Sequence, residues 1–297
     1  MSSTAIGILL TCVTSLMYGV YAPAARGAYI EGANVVFVIL LTTFMRGGGL
    51  FLWCVVKKIP LFTTAQDTVN AFKCGFVQAL SIVGNIGALM YLPAPVAVMI
   101  LFTSTLMLLF YMIWRKEMES NRWLILTTFT TLIGLTFVIN LWYAQGEYHI
   151  LGYGFAILGA VATATRLYVF GKLMKSKPPI AIGAETFVTA FVFLGLLMIY
   201  QIPIAPQTMQ GWWFVALSGL GLTVGSFTMF WAISRIGPFY FSLYNKIDPI
   251  WGAVFSVILL HEVLKPGQYI GVVIVIASLV SYQIWDHRHQ KRTTKAG

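Results

Sequence analysis

GPFYFSLYNKIDPIWGAVFSVILLHE, residues 237–262, is apolar and long enough to cross a bilayer, yet it carries Asn245, Lys246 and Asp248 near its middle, with Pro249 directly after them. Charges are costly in hydrocarbon, and a proline cannot donate to the carbonyl four residues back, here that of Asn245. Such a segment belongs inside a helical bundle, facing other helices or an aqueous cavity.

The rest of the chain agrees with a membrane setting. Hydrophobic residues make up 59% of the 297 residues and charged residues 9%, against about 25% charged in a soluble domain. A net charge of +10 is compatible with nucleic-acid binding only if the basic residues form a surface patch; here they sit at the ends of apolar runs, where they orient a membrane protein. A nucleic-acid partner is therefore not expected, and the lipid bilayer is. Cys12, Cys54 and Cys74 lie in or near apolar segments without CxxC or Cys/His spacing, so neither a disulfide framework, a metal site nor a cofactor is indicated. MSSTAIGILL lacks a basic leader and is read as the start of a retained first helix.

A window of about 20 residues, enough to cross some 30 Å of hydrocarbon as a helix, predicts ten spans in an all-α polytopic protein. Their cores fall near 5–25, 34–56, 71–92, 95–114, 123–142, 152–173, 180–200, 212–234, 238–260 and 267–285. Pro93 and Pro95 divide the third from the fourth. Between these spans, fourteen lysines and arginines fall on one side, and only Arg26 and Lys265 on the other. That asymmetry places both termini in the cytoplasm. Trp142, Tyr143, Tyr148, Tyr153, Trp212 and Trp213 supply aromatic belts on the outer side.

The two halves repeat. Pro93 and Glu117 correspond to Pro238 and Glu262 under a shift of 145 residues, which divides the chain into repeats at 1–146 and 147–297. Five spans per repeat is an odd number, so the halves enter the membrane from opposite sides. Inverted repeats supply inward-open and outward-open states around a midplane site, which argues for transport. Ser104 stands where the second half has Pro249, so a bend is expected at Pro249 and none at Ser104.

With ten helices in two halves, Arg46 followed by the glycine run 47–49, and fourth and ninth helices each closing on a glutamate (Glu117, Glu262), the chain resembles the drug/metabolite transporter superfamily, EamA type. Within it the chain looks most like the YddG-type exporters of aromatic amino acids. The resemblance implies an integral protein of a bacterial inner membrane, working as an exporter.

Candidate binding residues follow from polarity at depth. On a 3.6-residue period Tyr240, Tyr244, Asp248, Trp251 and Phe255 share a face, joined by Asn245. They either line a cavity suited to an aromatic zwitterion or are helix packing with polar groups around the carbonyl freed by Pro249. Lys246 projects away from Asp248 and needs a partner on another helix, or a substrate carboxylate. Gln78, Ser81 and Asn85 form a polar stripe on the third span, as cavity lining or as interhelical hydrogen bonds. Tyr18 and Trp231, with Thr103, Ser104, Thr163 and Ser226, are chosen by depth alone. Pro249 and Gly252 are the expected hinge. Arg46 is read as binding carbonyls or lipid phosphate, and Arg166 and Glu185 either as a paired gate or as separately solvated groups. Glu117 and Glu262 are read as structural.

These residues point to a secondary transporter exporting small metabolites, aromatic or neutral amino acids foremost, by alternating access around a midplane cavity. Efflux of foreign aromatic or cationic compounds is the rival, with Asp248 and Trp251 as the cation host. No Walker A, HExxH or GxSxG motif occurs, so neither P-loop ATP binding nor an enzyme is expected. The preferred substrate, the coupling ion and any homo-oligomer stay open.

Overall fold

Hydrocarbon offers no hydrogen-bond partner to a backbone, so a crossing segment must satisfy its own N–H and C=O groups, which a helix does. The computed structural model describes residues 3–119, 121–143, 149–261 and 263–296, with the backbone alone for Tyr143 and 286–296. Glu262, Tyr148 and the expected boundary at 146–147 lie outside the described residues. Every regular element described is helical: α1 (Ser3–Ile30), α2 (Val35–Val56), α3 (Ala65–Tyr91), α4 (Ala94–Phe102), α5 (Ser104–Trp114), α6 (Arg122–Val138), α7 (Ile150–Leu173), α8 (Pro179–Gly195), α9 (Leu197–Tyr200), α10 (Met209–Tyr244), α11 (Asp248–Leu260) and α12 (Pro266–Ala296). Several starts are capped by polar side chains: Asn34, Thr64, Asn121 and Thr208 accept from the backbone N–H of Phe37, Asp67, Trp123 and Gly211, satisfying donors the first turn leaves open.

Among the described residues, eight stretches are long and apolar enough to cross a membrane. One of them, Met209–Leu260, runs for 52 residues and holds the eighth and ninth expected spans. The division falls at Gly237, whose φ of 81° and ψ of 166° belong to a region open to glycine and strained for other residues. Pro238 then starts the next limb. The fifth expected span is the shorter apolar helix α6, of 17 residues.

The 145-residue shift extends to the helix boundaries. It carries α1 onto α7, α2 onto α8–α9, α3 and α4 onto the two limbs of α10, α5 onto α11 and α6 onto α12, within a few residues except that α12 runs on to Ala296. The packing follows the same exchange. α1 lies against α10 as α7 lies against α3, α2 meets α10 as α8 meets α3, and α1 meets α11 as α7 meets α5; α2–α8 and α6–α12 map onto themselves. Even a side-chain pair is repeated. Ser81 and Thr163 hydrogen-bond at 2.7 Å, and the positions 145 residues away, Ser226 and Tyr18, also do so, at 3.3 Å.

The expected asymmetry at Ser104 is corrected by the structure. α11 is set off from α10 by a 3₁₀ turn at Asn245–Ile247, with Pro249 in its first turn. The first half is interrupted at the equivalent place, between Phe102 and Ser104. There Thr103 does the proline's work. Its hydroxyl donates to the Ile100 carbonyl at 2.5 Å, and its N–H turns to the same carbonyl, so the regular i to i−4 ladder gives way without a missing donor.

Close helix contact comes from glycines. A Cβ on Gly84 would stand 2.5 Å from the Gly159 nitrogen, and one on Gly19 would stand 2.4 Å from the Trp251 Cβ. Backbones meet directly at such points, which is how helices gain contact when lipid supplies no hydrophobic drive between them. Gly84→Val is expected to destabilise the protein by about 1–3 kcal/mol. Gly48, where an added Cβ meets nothing within 4 Å, is expected to gain roughly 0.5–1 kcal/mol on change to Ala. Thermal unfolding of both variants in detergent checks the order, and a Gly84→Val protein as stable as wild type would refute the close approach.

Candidate functional site

The interior polar groups are organised by α1. Thr11, Thr14 and Ser15 each return a hydroxyl hydrogen bond to their own backbone four residues back, which satisfies them at no cost to a neighbour. Two also reach across. Thr14 Oγ1 lies 2.7 Å from Thr228 Oγ1, and Ser15 Oγ lies 3.1 Å from Asn245 Oδ1, its one hydrogen shared between that oxygen and the Thr11 carbonyl. One turn on, the Tyr18 hydroxyl lies against Ser226 and donates to the Met229 sulfur at 3.4 Å. The approach is close because Gly225 meets the Tyr18 ring and Gly221 meets the Met17 carbonyl.

From Ser15 the chain of contacts runs into the 3₁₀ turn. Asn245 Nδ2 donates to Asp248 Oδ2 at 3.4 Å, while Asp248 Oδ1 is buried and has no partner among the described residues. Lys246 is buried, and its ammonium stands 4.3 Å from the centre of the Phe102 ring. The helix that offers it a partner is therefore α4, through an aromatic face. Gly252 lies next to Gly19 on α1, so the residues expected as a hinge sit where α11 is pressed against α1.

A second polar group lies between α3 and α7. Arg166 Nη1 donates to Gln78 Oε1, Ser81 pairs with Thr163, and Asn85 Oδ1, beside Gly159, is buried without a partner among the described residues. Below them is a cavity of about 140 Å³ lined by Asn70, Lys73, Cys74, Val77, Arg166, Val169 and Leu173. Arg46 of α2 is 9% exposed, with its guanidinium 4.6 Å from the Phe187 ring centre and 5.7 Å from that of Tyr18. The Nε atoms of both arginines are buried and unpaired among the described residues.

The expected aromatic face divides. The turn at 245–247 interrupts its period, so Tyr240 packs on Tyr282 of α12, ring to ring at 6.3 Å, away from Asn245. Tyr244 is buried. Trp231, partly buried, packs against Trp53 and Phe227. Two other expectations are corrected. Among the described residues Arg46 bonds no carbonyl and lies on aromatic rings, and Arg166 and Glu185 do not pair.

Glu185, expected at a solvated interface, is 3% exposed. Lys177 Nζ donates to its two oxygens at 2.6 and 2.7 Å and lies 3.7 Å from Asp67; the Phe62 N–H adds a bond of 2.7 Å. This closed group borders the cavity, sharing Asn70, Cys74 and Leu173 with it. Glu117 ties its loop to α7, accepting from Tyr168 at 2.9 Å and Lys172 at 2.8 Å. The Lys172 hydrogen bond holds the Glu117 carboxyl below the usual carboxylate range.

The electrostatic balance singles out the arginines. Asp248 has Lys246 within electrostatic reach and Glu185 has Lys177. Neither Arg46 nor Arg166 has a carboxylate at ion-pair distance among the described residues. Removing an ion from water costs several kcal/mol in effect, and a cation–π contact returns roughly 0.5–2 kcal/mol. The rings around these guanidiniums therefore do not balance their burial.

Helices of this length and apolarity mark an integral membrane protein. Residues 150–282 match the model of the EamA-like transporter family, of the drug/metabolite transporter superfamily. A solved crystal structure 14% identical in sequence superposes with a TM-score of 0.74 over 94% of this chain and 97% of the other, so the fold is shared along nearly its whole length.

The sequence missed the aromatic hosts Phe102 and Phe187, the Lys177 partner of Glu185, and Ser15. Only Ser15 left a signal, as part of a stripe with Thr11 and Tyr18 at helical spacing on α1.

Glu185→Ala is expected to lower stability by about 1–3 kcal/mol, because the Phe62 N–H loses its acceptor and the part-buried Lys177 is left with Asp67 at 3.7 Å; the double variant Lys177→Met/Glu185→Leu recovers part of the loss, as detergent unfolding checks. Glu117 contributes stability that is present above its unfolded pKa, near 4.3, and is lost as pH falls through its lower folded value. The stability difference between wild type and Lys172→Met is therefore expected to shrink below about pH 4, measurable by thermal shift across pH 3–7.

Proposed function

We propose that this chain is a secondary transporter of the drug/metabolite transporter superfamily, with ten spans in two inverted five-helix repeats at 1–146 and 147–297 and both termini cytoplasmic. It exports small metabolites, aromatic or neutral amino acids foremost, across a bacterial inner membrane by alternating access, in the manner of the YddG-type exporters. The observation that carries the reading is the packing that maps onto itself under the 145-residue exchange of halves. Two halves of like shape can trade conformations, which turns one access state into its opposite. The Ser81–Thr163 and Tyr18–Ser226 bonds are then equivalent contacts that open and close in alternation.

Tyr18, Gln78, Ser81, Asn85, Asn245, Lys246 and Asp248 are the binding residues in this reading, and Pro249 with Gly252 forms the hinge. Tyr240, Tyr244 and Trp231 contribute by shaping the walls of α10. The unpaired Asp248 oxygen favours a second reading, efflux of aromatic cations. Lys246 beside it and the two uncompensated arginines weigh against a cation.

Proteoliposomes holding the purified protein decide between the two. Labelled phenylalanine or tryptophan is expected to exchange in counterflow faster than in empty vesicles, and Asp248→Asn is expected to slow that exchange about tenfold or more, the loss from removing one charge-assisted contact. Entry of a cationic dye with no movement of either amino acid would defeat the leading reading.

A further inference from the structure

We propose that the crevice between α3 and α7, at the basic end of the bundle, binds the headgroup of an anionic phospholipid, with Lys73 and Arg166 on its phosphate and its acyl chains along the exposed faces of the two helices. The lipid is a resident partner, separate from any solute that meets Asn245 or Asp248.

α3 and α7 touch backbone to backbone at Gly84 and Gly159 and through the Ser81–Thr163 hydrogen bond. Toward the basic end they part, and the gap is the cavity of about 140 Å³ that Asn70, Lys73, Val77, Arg166, Val169 and Leu173 help to line. Its direction follows from the turn of about 100° per residue. On α3, Lys73 projects between that line of contact and the exposed side chains of Val69, Phe72 and Phe76; on α7, Val169 projects between it and exposed Leu158 and Val161. The crevice therefore opens sideways, onto the faces that meet lipid. Comparison with the other half shows that the opening is not imposed by the repeat. Under the 145-residue shift Lys73, Arg166, Val169 and Leu173 correspond to Ser218, Tyr21, Ala24 and Ala28, and there Ser218, Ala24 and Ala28 are buried in the seam of α1 against α10. Only the basic end has both a gap and cations.

What fills the gap is set by its charge. Arg166 gives one terminal nitrogen to Gln78 and keeps a buried Nε unpaired, and neither Arg166 nor Lys73 has a carboxylate at ion-pair distance among the described residues. Asn70 accepts from Gln66 at 3.2 Å, which leaves its amide nitrogen to donate. The neighbouring acids, Asp67 and Glu185, are held by Lys177 at 3.7 and 2.6 Å. Donors and positive charge are left over, and an oxyanion complements them. Depth and shape select a lipid phosphate over a dissolved one. Arg166 stands about 10 Å from the end of α7 at 1.5 Å per residue, and a long basic side chain at that depth extends toward headgroup level. Lys73 stands about 7 Å nearer the start of α3 than Gln78, the partner of Arg166, so the two cations bracket one headgroup. A basic pocket between spans is a recurrent seat for such groups, whereas the ammonium of a zwitterionic lipid would add a cation to two already there.

The test uses the purified full-length protein and native mass spectrometry from detergent. Its probes are dioleoylphosphatidylglycerol, dioleoylphosphatidylcholine with the same chains, and glycerol 3-phosphate, which has none. One phosphatidylglycerol is expected to be retained at concentrations about tenfold below those that phosphatidylcholine or glycerol 3-phosphate requires. Lys73→Gln and Arg166→Gln are each expected to weaken that retention about tenfold, and Lys58→Gln, at the same end but outside the crevice, to leave it unchanged. Val169→Phe fills the crevice with both cations in place and is expected to weaken retention as well, which keeps the proposal testable if an arginine variant does not fold. Equal retention of the two lipids, glycerol 3-phosphate bound as tightly as phosphatidylglycerol, a Lys58→Gln loss matching that of Lys73→Gln, or folded crevice variants with wild-type retention would each overturn the proposal. The second of these outcomes would mark a site for a small soluble anion, and the third a diffuse surface attraction.

Discussion

Direct backbone contact between helices is the constraint on which this molecule depends. Lipid chains are as apolar as leucine, so helices gain little by burying leucine against one another. What draws them together is short-range contact, and glycine makes it possible where Gly84 meets Gly159 and where Gly19 meets Trp251 and Gly252. These contacts set α1 against α10 and α11, and α3 against α7. Tyr18, Ser15, Ser81 and Thr163 are carried on those helices. A larger side chain at either crossing would move Tyr18, Ser15 or Ser81 away from the partners that satisfy them.

The interior charges are handled by three distinct means. Lys177 and Glu185 form a hydrogen-bonded pair at the rim of the cavity, with the Phe62 N–H completing the carboxylate. Lys246 and Asp248 lie near each other at the break between α10 and α11, with Phe102 taking the ammonium face and Asn245 one carboxylate oxygen. Arg46 and Arg166 have rings and one amide but no anion. The first group is closed and structural. Among the described residues, four buried polar atoms are left without partners, on Arg46, Asn85, Arg166 and Asp248. Unsatisfied atoms are costly in an apolar bundle.

Symmetry at the level of packing coexists with divergence at the level of chemistry. The interruption at Thr103 and that at Asn245–Ile247 occupy equivalent positions, one made by a hydroxyl competing for a carbonyl and the other by a 3₁₀ turn ahead of a proline. Only the second carries Lys246 and Asp248. Arg46 and Arg166 likewise stand where the opposite halves have Phe191 and Tyr21. The halves pack alike, yet the charged groups they bury differ.

The sequence by itself determined the membrane setting, the helical class and the 145-residue repeat, because hydropathy, proline placement and chain length act locally and survive without knowledge of neighbours. It also showed which residues are too polar for lipid. Which of those meet was decided only by the tertiary structure. Lys177 and Glu185 are eight residues apart across the start of α8, and Arg166 reaches Gln78 across 88 positions; neither separation is visible as a spacing. Tyr240 shares a helical face with Asp248 only if the helix runs unbroken, and the turn at 245–247 directs it to α12 instead. The aromatic hosts Phe187, Phe170 and Phe102 were illegible for a simpler reason: in a chain with 21 phenylalanines, one ring beside a cation looks like any other until the fold brings the cation to it.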